Sequence, residues 1–390
     1  MSKPRVLLTY IESGMGHIMS MKAIAESLET YYKNDLELIN VEVMKDGNEK
    51  TRLDFEKFLC DCTKLTNKSK LFGMGIFVFL EGVGNRHFMR LVHKTIFKKA
   101  SESTIEEMKK YNPDVIISTH YFITYCAVEL KKRYMPNLIV ITYNPDNNVH
   151  MWWDDRSDLF INNNEVACDE AIKHRKFNSE SVRKVYFTAR EEIQNANGTK
   201  EEYRKKYGIS DRFTICIADG AYASAKAKKY CNKLLKVDFP INIILIAGKN
   251  EKCYNYFVKK KKNLKDNINL DIYRFIPTAY ELYGASDLFI TKAGPNAVLD
   301  SLFMGTPVCI DYYAHPIEKA TTKLFVDELH CGIKVFNSKK IIKKVKYLYE
   351  HPLFLEEIKK NIRKSVDKTK NGSKQIADII MREVKTKNEI

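Results

Sequence analysis

Thr291-Lys-Ala-Gly-Pro-Asn-Ala-Val-Leu-Asp-Ser-Leu-Phe-Met-Gly-Thr-Pro307 is the stretch on which the rest of the chain turns. An apolar run, Asp287–Ile290, precedes it, and another, Pro307–Ile310, closes it. The spacing predicts strand, turn, a short helix over Asn296–Met304, then strand. Gly294 suits a turn, and Pro295 suits the first turn of a helix, where its missing N–H costs nothing. Such a turn aims a helix N-terminus at the carboxyl end of a strand, where free N–H groups and the helix dipole favour a phosphate. Asp300, one turn in, is spaced to accept hydrogen bonds from a hydroxylated group beside that phosphate. A diphosphate carrying a ribose fits these features. An ordinary strand–helix turn is the competing reading.

Working outward, strand-like and helix-like segments alternate. Val6–Ile11, Leu36–Val43, Val115–Thr119, Leu138–Tyr143, Leu159–Asn163 and Val185–Phe187 form a first series of short apolar strands. Thr214–Ala218, Ile243–Ala247, Ile272–Phe275, Leu288–Thr291, Val308–Ile310 and Ile333–Val335 form a second, and helical patterns such as Met19–Tyr32 and Val166–His174 lie between strands. Strands without polar alternation, separated by helices, indicate parallel sheets covered on both faces. Two series predict an α/β protein of two facing, doubly wound Rossmann-like domains with a cleft between them. The expected division is 1–190, a polar linker at 191–211, 212–365, and a C-terminal helix at 366–390.

Composition narrows the class. The 390 residues are 44% hydrophobic with only 16 Gly and 10 Pro, a globular balance. Nine scattered cysteines without a C-x-x-C pair read as reduced thiols and not as a metal site. The opening Met1-Ser-Lys-Pro-Arg-Val-Leu-Leu enters a strand at once and reads as free of a leader. The longest apolar run, Leu71–Leu80, is too short to span a bilayer. A formal charge of +16 suits an anionic membrane surface, an anionic substrate or nucleic acid; a solvated lysine-rich surface is the plain alternative.

Further candidate residues gather at the carboxyl ends of predicted strands, where ligands bind in open α/β sheets. Gly14 and Gly16 loosen the turn after the first strand, and His17 follows as a group able to take a proton near neutral pH. Ser118-Thr-His120 ends a neighbouring strand. The loop Thr142–Trp153 carries Asp146, His150 and the chain's two tryptophans, Trp152 and Trp153. In the second half, Asp219-Gly220-Ala221 and Gly248 border the expected diphosphate. Backbone groups of Arg274 and Ile276 are placed to hold a base edge; Lys292, Asn296 and Glu318 complete the donor side. A Phe-rich run containing Phe77 and Phe79 precedes Arg86–Lys99. There Phe88, Leu91, Val92, Thr95 and Ile96 are expected on one helical face, and Arg90, Lys94 and Lys98 on another. This pattern reads as a membrane-surface helix that includes Arg86 and Arg90, against the alternative of a helix packed on its own domain.

These motifs resemble the diacylglycerol glycosyltransferases. The carriers are Gly14-Met-Gly-His17, Ser118-Thr-His120, the loop with His150-Met-Trp-Trp153, Ala247-Gly-Lys-Asn250 and Asp287–Pro307. The group is similar to monogalactosyldiacylglycerol synthases and processive glucosyltransferases, and more distantly to MurG. The resemblance implies the GT-B fold and inverting transfer from a UDP-sugar to a lipid acceptor, with no resident metal or cofactor and no nucleic-acid partner. It implies a monomer or dimer held peripherally on the inner face of the cell membrane. His17 then matches the family's base, Asp300 a glutamate that holds the ribose, Glu318 an acid that contacts the sugar, Asp146 an acid after the threonine, and Arg190 an arginine at the interdomain turn. Departures are Asp300 for glutamate, Ile317 for glutamine, Thr321 for asparagine, and the charge of Asp219 near the diphosphate. A UDP-sugar 2-epimerase-like enzyme and a non-catalytic basic binding protein are the alternatives.

Overall fold

A computed structural model describes residues 3–11, 15–43, 86–220, 224–312 and 316–388. The chain divides into two compact units, residues 1–190 with 371–390, and residues 191–370.

The first unit holds a six-stranded parallel sheet in the order β2-β1-β3-β4-β5-β6. Its strands are β1 (Arg5–Thr9), β2 (Glu37–Val41), β3 (Val115–Ser118), β4 (Ile139–Tyr143), β5 (Leu159–Asn162) and β6 (Val182–Lys184). Every residue of β3 and β5 is buried, as continuous apolar strands covered on both faces require. The last strand lies three residues earlier than its apolar signal: β6 is an edge strand with Arg183 and Lys184 exposed, while Val185 packs into the core beyond its end. From β1 the chain first builds outward to β2, then crosses to β3 on the other side. The gap between β1 and β3 is therefore the sheet's topological switch point.

The C-terminal helix Gly372–Asn388 belongs to this first unit. Ile376, Ala377, Ile380, Met381 and Val384 recur at helical spacing, and all join the buried cluster of Val6, Leu8, Met21, Ile24 and Leu28. Ser373 Oγ donates to Ala189 O at 3.0 Å, and Tyr32 donates to Asp378 at 2.6 Å. Gly372 permits the docking, because a Cβ there would stand 2.1 Å from Tyr186 O.

The second unit repeats the plan with strands β7 (Phe213–Ile217), β8 (Ile241–Gly248), β9 (Ile268–Arg274), β10 (Leu288–Thr291), β11 (Val308–Ile310) and β12 (Gly332–Lys334). Their order is β12-β11-β10-β7-β8-β9, all parallel, so the switch point lies between β7 and β10. The polar segment 191–211, read as a linker, is instead structured: it contains helices Glu191–Gln194 and Lys200–Tyr207. Thr199 and Glu202 form a capping box at the second helix. Arg204 is buried there, donating to Ala285 O at 3.0 Å and to Asp287 Oδ2 at 2.8 Å. A buried, fully engaged guanidinium ties this helix to the unit that holds β7 to β12.

Candidate active site

In the first unit the loops after β1, β3 and β4 bring His17, His120, His150 and Trp152 together. His17 lies in the first turn of helix Met15–Tyr32 and is half-buried. Its Nδ1 lies 2.6 Å from Thr119 O, the carbonyl of the residue that follows β3. A carbonyl only accepts, so Nδ1 carries the hydrogen, and in the neutral ring the lone pair is on Nε2. Thr119 Oγ1 donates to His17 O at 3.2 Å, locking the same two loops from the other direction.

The His17 ring meets His120 edge-on at 4.9 Å, His120 meets Tyr121 at 4.3 Å, and Tyr121 meets His150 at 5.5 Å and Trp152 at 5.3 Å. His120 is fully enclosed, and its Nδ1 accepts from Phe122 N, capping helix Tyr121–Arg133. Burial, and then the neighbouring imidazoles of His17, His150 and His93, hold its pKa well below the ordinary range. His150 is buried too, and its Nδ1 accepts from Trp152 N at 3.3 Å. Through these Nδ1 contacts both histidines brace the loops after β3 and β4. Trp153 is wholly buried in a core cluster, whereas Trp152 is half-buried. Asp146 sits half-buried in the loop after β4, where its N–H donates to Asn144 Oδ1 and its carbonyl accepts from Asn162 Nδ2.

The basic segment differs from its predicted pattern. Helix Arg86–Lys94 ends before Thr95, and a second helix begins at Lys98. Met89, His93 and Phe97 are the buried residues, and Phe88, Leu91 and Ile96 are exposed at 43%, 55% and 67%. The segment thus packs one face on its own domain and leaves Phe88, Leu91 and Ile96 outward. Arg90 is not a free surface cation: it pairs with Asp154 at 3.3 Å and with Asp155. His93, stacked on Tyr125 at 3.9 Å, is pushed down to about 4 by burial. Gly14, Phe77, Phe79 and Ala221, and the Arg86 side chain, lie outside the described residues.

In the second unit the turn after β10 is as the sequence predicts. Gly294 precedes helix Pro295–Phe303, with Pro295 at its first position and no side chain capping its N-terminus. Gly294 itself adopts φ −72° and ψ 122°, which any residue can reach. A Cβ there would meet Lys292 Cε at 3.5 Å and Glu318 Oε1 at 4.0 Å, so glycine keeps open the space before those groups. Lys292 Nζ donates to Glu318 Oε1 at 2.6 Å. Asn296 and Asp300 are half-buried on this helix. Gly220 and Gly248 have φ +76° and +58°, the left-handed region where glycine is favoured. The Arg274 side chain is committed to Glu251 at 2.7 Å and lies over Tyr254 at 3.8 Å, so a ligand role there falls to its backbone and to that of half-buried Ile276.

Near this turn lies Asp311, which sequence reasoning did not single out, in company with Asp219, which it did. Asp311, directly after β11, is 0% exposed, and neither carboxylate oxygen has a side-chain hydrogen-bond partner among the described residues. Asp219, after β7, is also buried; Oδ2 accepts from Ser224, which caps helix Ala225–Leu234, while Oδ1 has no partner. Thr291 Oγ1, at the end of β10, is a fourth buried atom without a partner among the described residues. Burial, and then the charge of Asp219, push Asp311 up to about 8; Asp219 is also raised, chiefly by burial. For Asp311 the sequence signal was an aspartate closing an apolar strand. Among the described residues no group of three His, Cys, Asp or Glu can hold a metal ion, and no helix is long and apolar enough to cross a membrane.

Two parallel six-stranded sheets with helices, each with polar groups at its switch point, define the GT-B class of fold. MurG from Acinetobacter baumannii superposes with a TM-score of 0.62 at 13% identity, covering 97% of this chain and 99% of that one. Residues 17–197 match the monogalactosyldiacylglycerol (MGDG) synthase family, and residues 221–378 match the glycosyltransferase family 28 C-terminal domain. The chain thus carries an MGDG synthase match in its first unit and a glycosyltransferase family 28 C-terminal match over most of its second. Monogalactosyldiacylglycerol synthase 1 of Arabidopsis thaliana is 23% identical over 87% of this chain, which spans 64% of that relative's length. A processive diacylglycerol beta-glucosyltransferase of Bacillus licheniformis is 25% identical over 73% of each chain.

Proposed function

We propose that this chain is an inverting glycosyltransferase that moves a hexose from a UDP-sugar to the hydroxyl of a membrane lipid, diacylglycerol being the acceptor its relatives' names suggest. The observation that carries the reading is the hydrogen bond from His17 Nδ1 to Thr119 O, which fixes an imidazole with a free Nε2 at a switch point. In this mechanism Nε2 takes the acceptor's hydroxyl proton as the acceptor oxygen forms its bond to the anomeric carbon. The bond from that carbon to the diphosphate oxygen breaks on the opposite face, inverting the centre, and UDP departs with the electron pair. The N-terminal end of helix Pro295–Phe303, through its dipole, and the Lys292 ammonium stabilise the charge that develops on the diphosphate. Lys292 is drawn from Glu318 toward the phosphate, freeing Glu318 to accept from sugar hydroxyls, while Asp300 accepts from the ribose. Asp146 assists on the acceptor side. The helix N-terminus and the lysine serve without a resident cofactor.

The exposed Phe88, Leu91 and Ile96, beside exposed Lys94, Lys98 and Lys99, suit peripheral contact with an anionic bilayer at its cytoplasmic face. The test is UDP release from a panel of UDP-sugars, with and without vesicles containing diacylglycerol. Transfer predicts release with one preferred donor and dependence on the lipid. Lipid-independent conversion of the sugar would point to an epimerase, and no release at all to a binding protein; either result sinks the proposal.

A further inference from the structure

The second unit carries a basic groove that the transfer reaction does not use. It lies between helices Ala225–Leu234 and Glu251–Lys261, has a volume of about 530 Å³, and contains no carboxylate in its lining. Lys228, Lys229, Asn232, Lys233 and Lys236 recur along one face of the first helix and its end, and Tyr256 and Lys260 face them from the second. Two of the five ammonium groups are positioned by neutral partners. Lys228 Nζ lies 3.7 Å from the Tyr256 ring centroid, and Lys260 Nζ donates to Asn232 Oδ1, which also accepts from Tyr256 OH at 3.1 Å. Five like charges held around one concavity repel one another, and an anion entering it relieves that repulsion.

We infer that this groove docks the phosphate headgroup of an anionic phospholipid at a bilayer surface. The chemistry of the lining selects that occupant over nucleic acid. Bases stack on open aromatic faces, whereas the Tyr256 face is covered by Lys228 and its hydroxyl is engaged. No arginine fork lines the groove, and flexible lysines bind phosphate as point charges without demanding one geometry. Juxtaposed lysines of this kind are what an anionic leaflet attracts. The inference concerns helices that follow β7 and β8, so it stands apart from the proposed transfer step and from the Phe88 surface.

The test uses the full chain and needs no sugar transfer, so its failure is distinct from failure of the proposed reaction. Retention is measured on phosphatidylcholine vesicles with and without phosphatidylglycerol, for the wild type and for Lys229→Gln/Lys233→Gln/Lys236→Gln. A second variant, Lys339→Gln/Lys343→Gln/Lys344→Gln, removes the same charge from exposed positions elsewhere. The expected result is a loss of roughly tenfold or more on anionic vesicles for the groove variant alone, with unchanged melting and unchanged behaviour on neutral vesicles. Equal loss in both variants would reduce the effect to net charge and overturn the inference, as would no loss in either. Release of the wild type by low-millimolar inorganic phosphate at constant ionic strength would assign the groove to the free anion. Loss of oligonucleotide binding with vesicle binding intact would assign it to nucleic acid.

Discussion

The two sheets share an architecture and differ at their switch points. Between β1 and β3 the polar groups are imidazoles, and their partners are backbone atoms: His17 to Thr119 O, His120 from Phe122 N. His120 and His93 are held neutral by burial. Around β7, β10 and β11 the groups are charged or only partly satisfied: the Lys292–Glu318 pair, and buried Asp219, Asp311 and Thr291, each with a side-chain oxygen left without a partner among the described residues. A neutral, hydrogen-bonded edge suits a group that must accept a proton and return it. A charged edge suits a diphosphate, whose charge changes as its bond breaks. The same fold thus supplies two electrostatic environments, and the loop residues after the strands decide which one.

The largest expected effect tests the first environment. His17→Ala removes the Nε2 lone pair from a half-buried position and should lower kcat by about 100- to 10,000-fold, the range for a general base. His17→Gln can keep the hydrogen bond to Thr119 O and should be nearly as inactive. If the glutamine variant restores the rate, His17 positions the loop and the comparison between the two edges loses its chemical meaning. Steady-state kinetics with the preferred UDP-sugar decide it.

A smaller effect, on stability, tests the second environment. The Asp311 carboxyl ordinarily titrates at 3.8 and is pushed up to about 8 in the fold. Between those values the folded chain holds a proton that the unfolded chain has lost, so stability falls as pH rises. The contribution is fully present below the ordinary carboxyl value and gone once pH passes the folded one. At neutral pH the protonated Asp311 also spares a diphosphate one negative neighbour. Asp311→Asn removes the titration and brings an amide that can donate to a carboxylate such as Asp219. Its melting temperature should match the wild type near pH 4 and exceed it by roughly 5 °C at pH 9, since each kcal/mol moves a unit of this size by about 2–4 °C. Parallel melting curves across that range would mean that Asp311 is not titrating.

Much of this was legible because parallel strands buried on both faces are written as uninterrupted apolar runs. Leu288–Ile290 and Val115–Ile117 are examples, and their ends locate the switch-point loops. The segment 191–211 was not legible from polarity. Its helix Lys200–Tyr207 is rich in charge yet buries Tyr203 and Arg204, and only the Thr199–Glu202 capping spacing announced it. The C-terminal helix showed helical spacing, but nothing local says that Ile376 and Ile380 dock beside β1, more than three hundred and sixty residues earlier. That His120 and His150 accept backbone N–H groups through Nδ1 was not legible, because a histidine at a strand end has the same sequence signature whether its nitrogen faces solvent or braces a loop. Asp311 was passed over because burial of a carboxylate depends on the helices packed over it.

The smallest predicted effects sharpen the comparison directly, because each edge has a glycine whose absent side chain leaves open space. Gly16 is in a helix, and a Cβ there meets nothing within 4 Å; Gly294 would place a Cβ at ordinary contact distance from Lys292. Neither backbone needs glycine, since neither is in the left-handed region. Replacing either by alanine should therefore stabilise the fold slightly, by about 0.4–1 kcal/mol, through lost freedom in the unfolded chain. Activity should move the other way. Gly294→Ala intrudes on the space before Lys292 and Glu318 and should raise the KM for the donor several-fold with kcat little changed. Gly16→Ala narrows the approach to His17 and should raise the KM for the lipid instead. Measured side by side, the two variants separate the edges by which substrate each one weakens. If both act on the same substrate, the division into an acceptor edge and a donor edge is wrong. If both gain stability and keep wild-type kinetics, the open space at these glycines serves neither ligand.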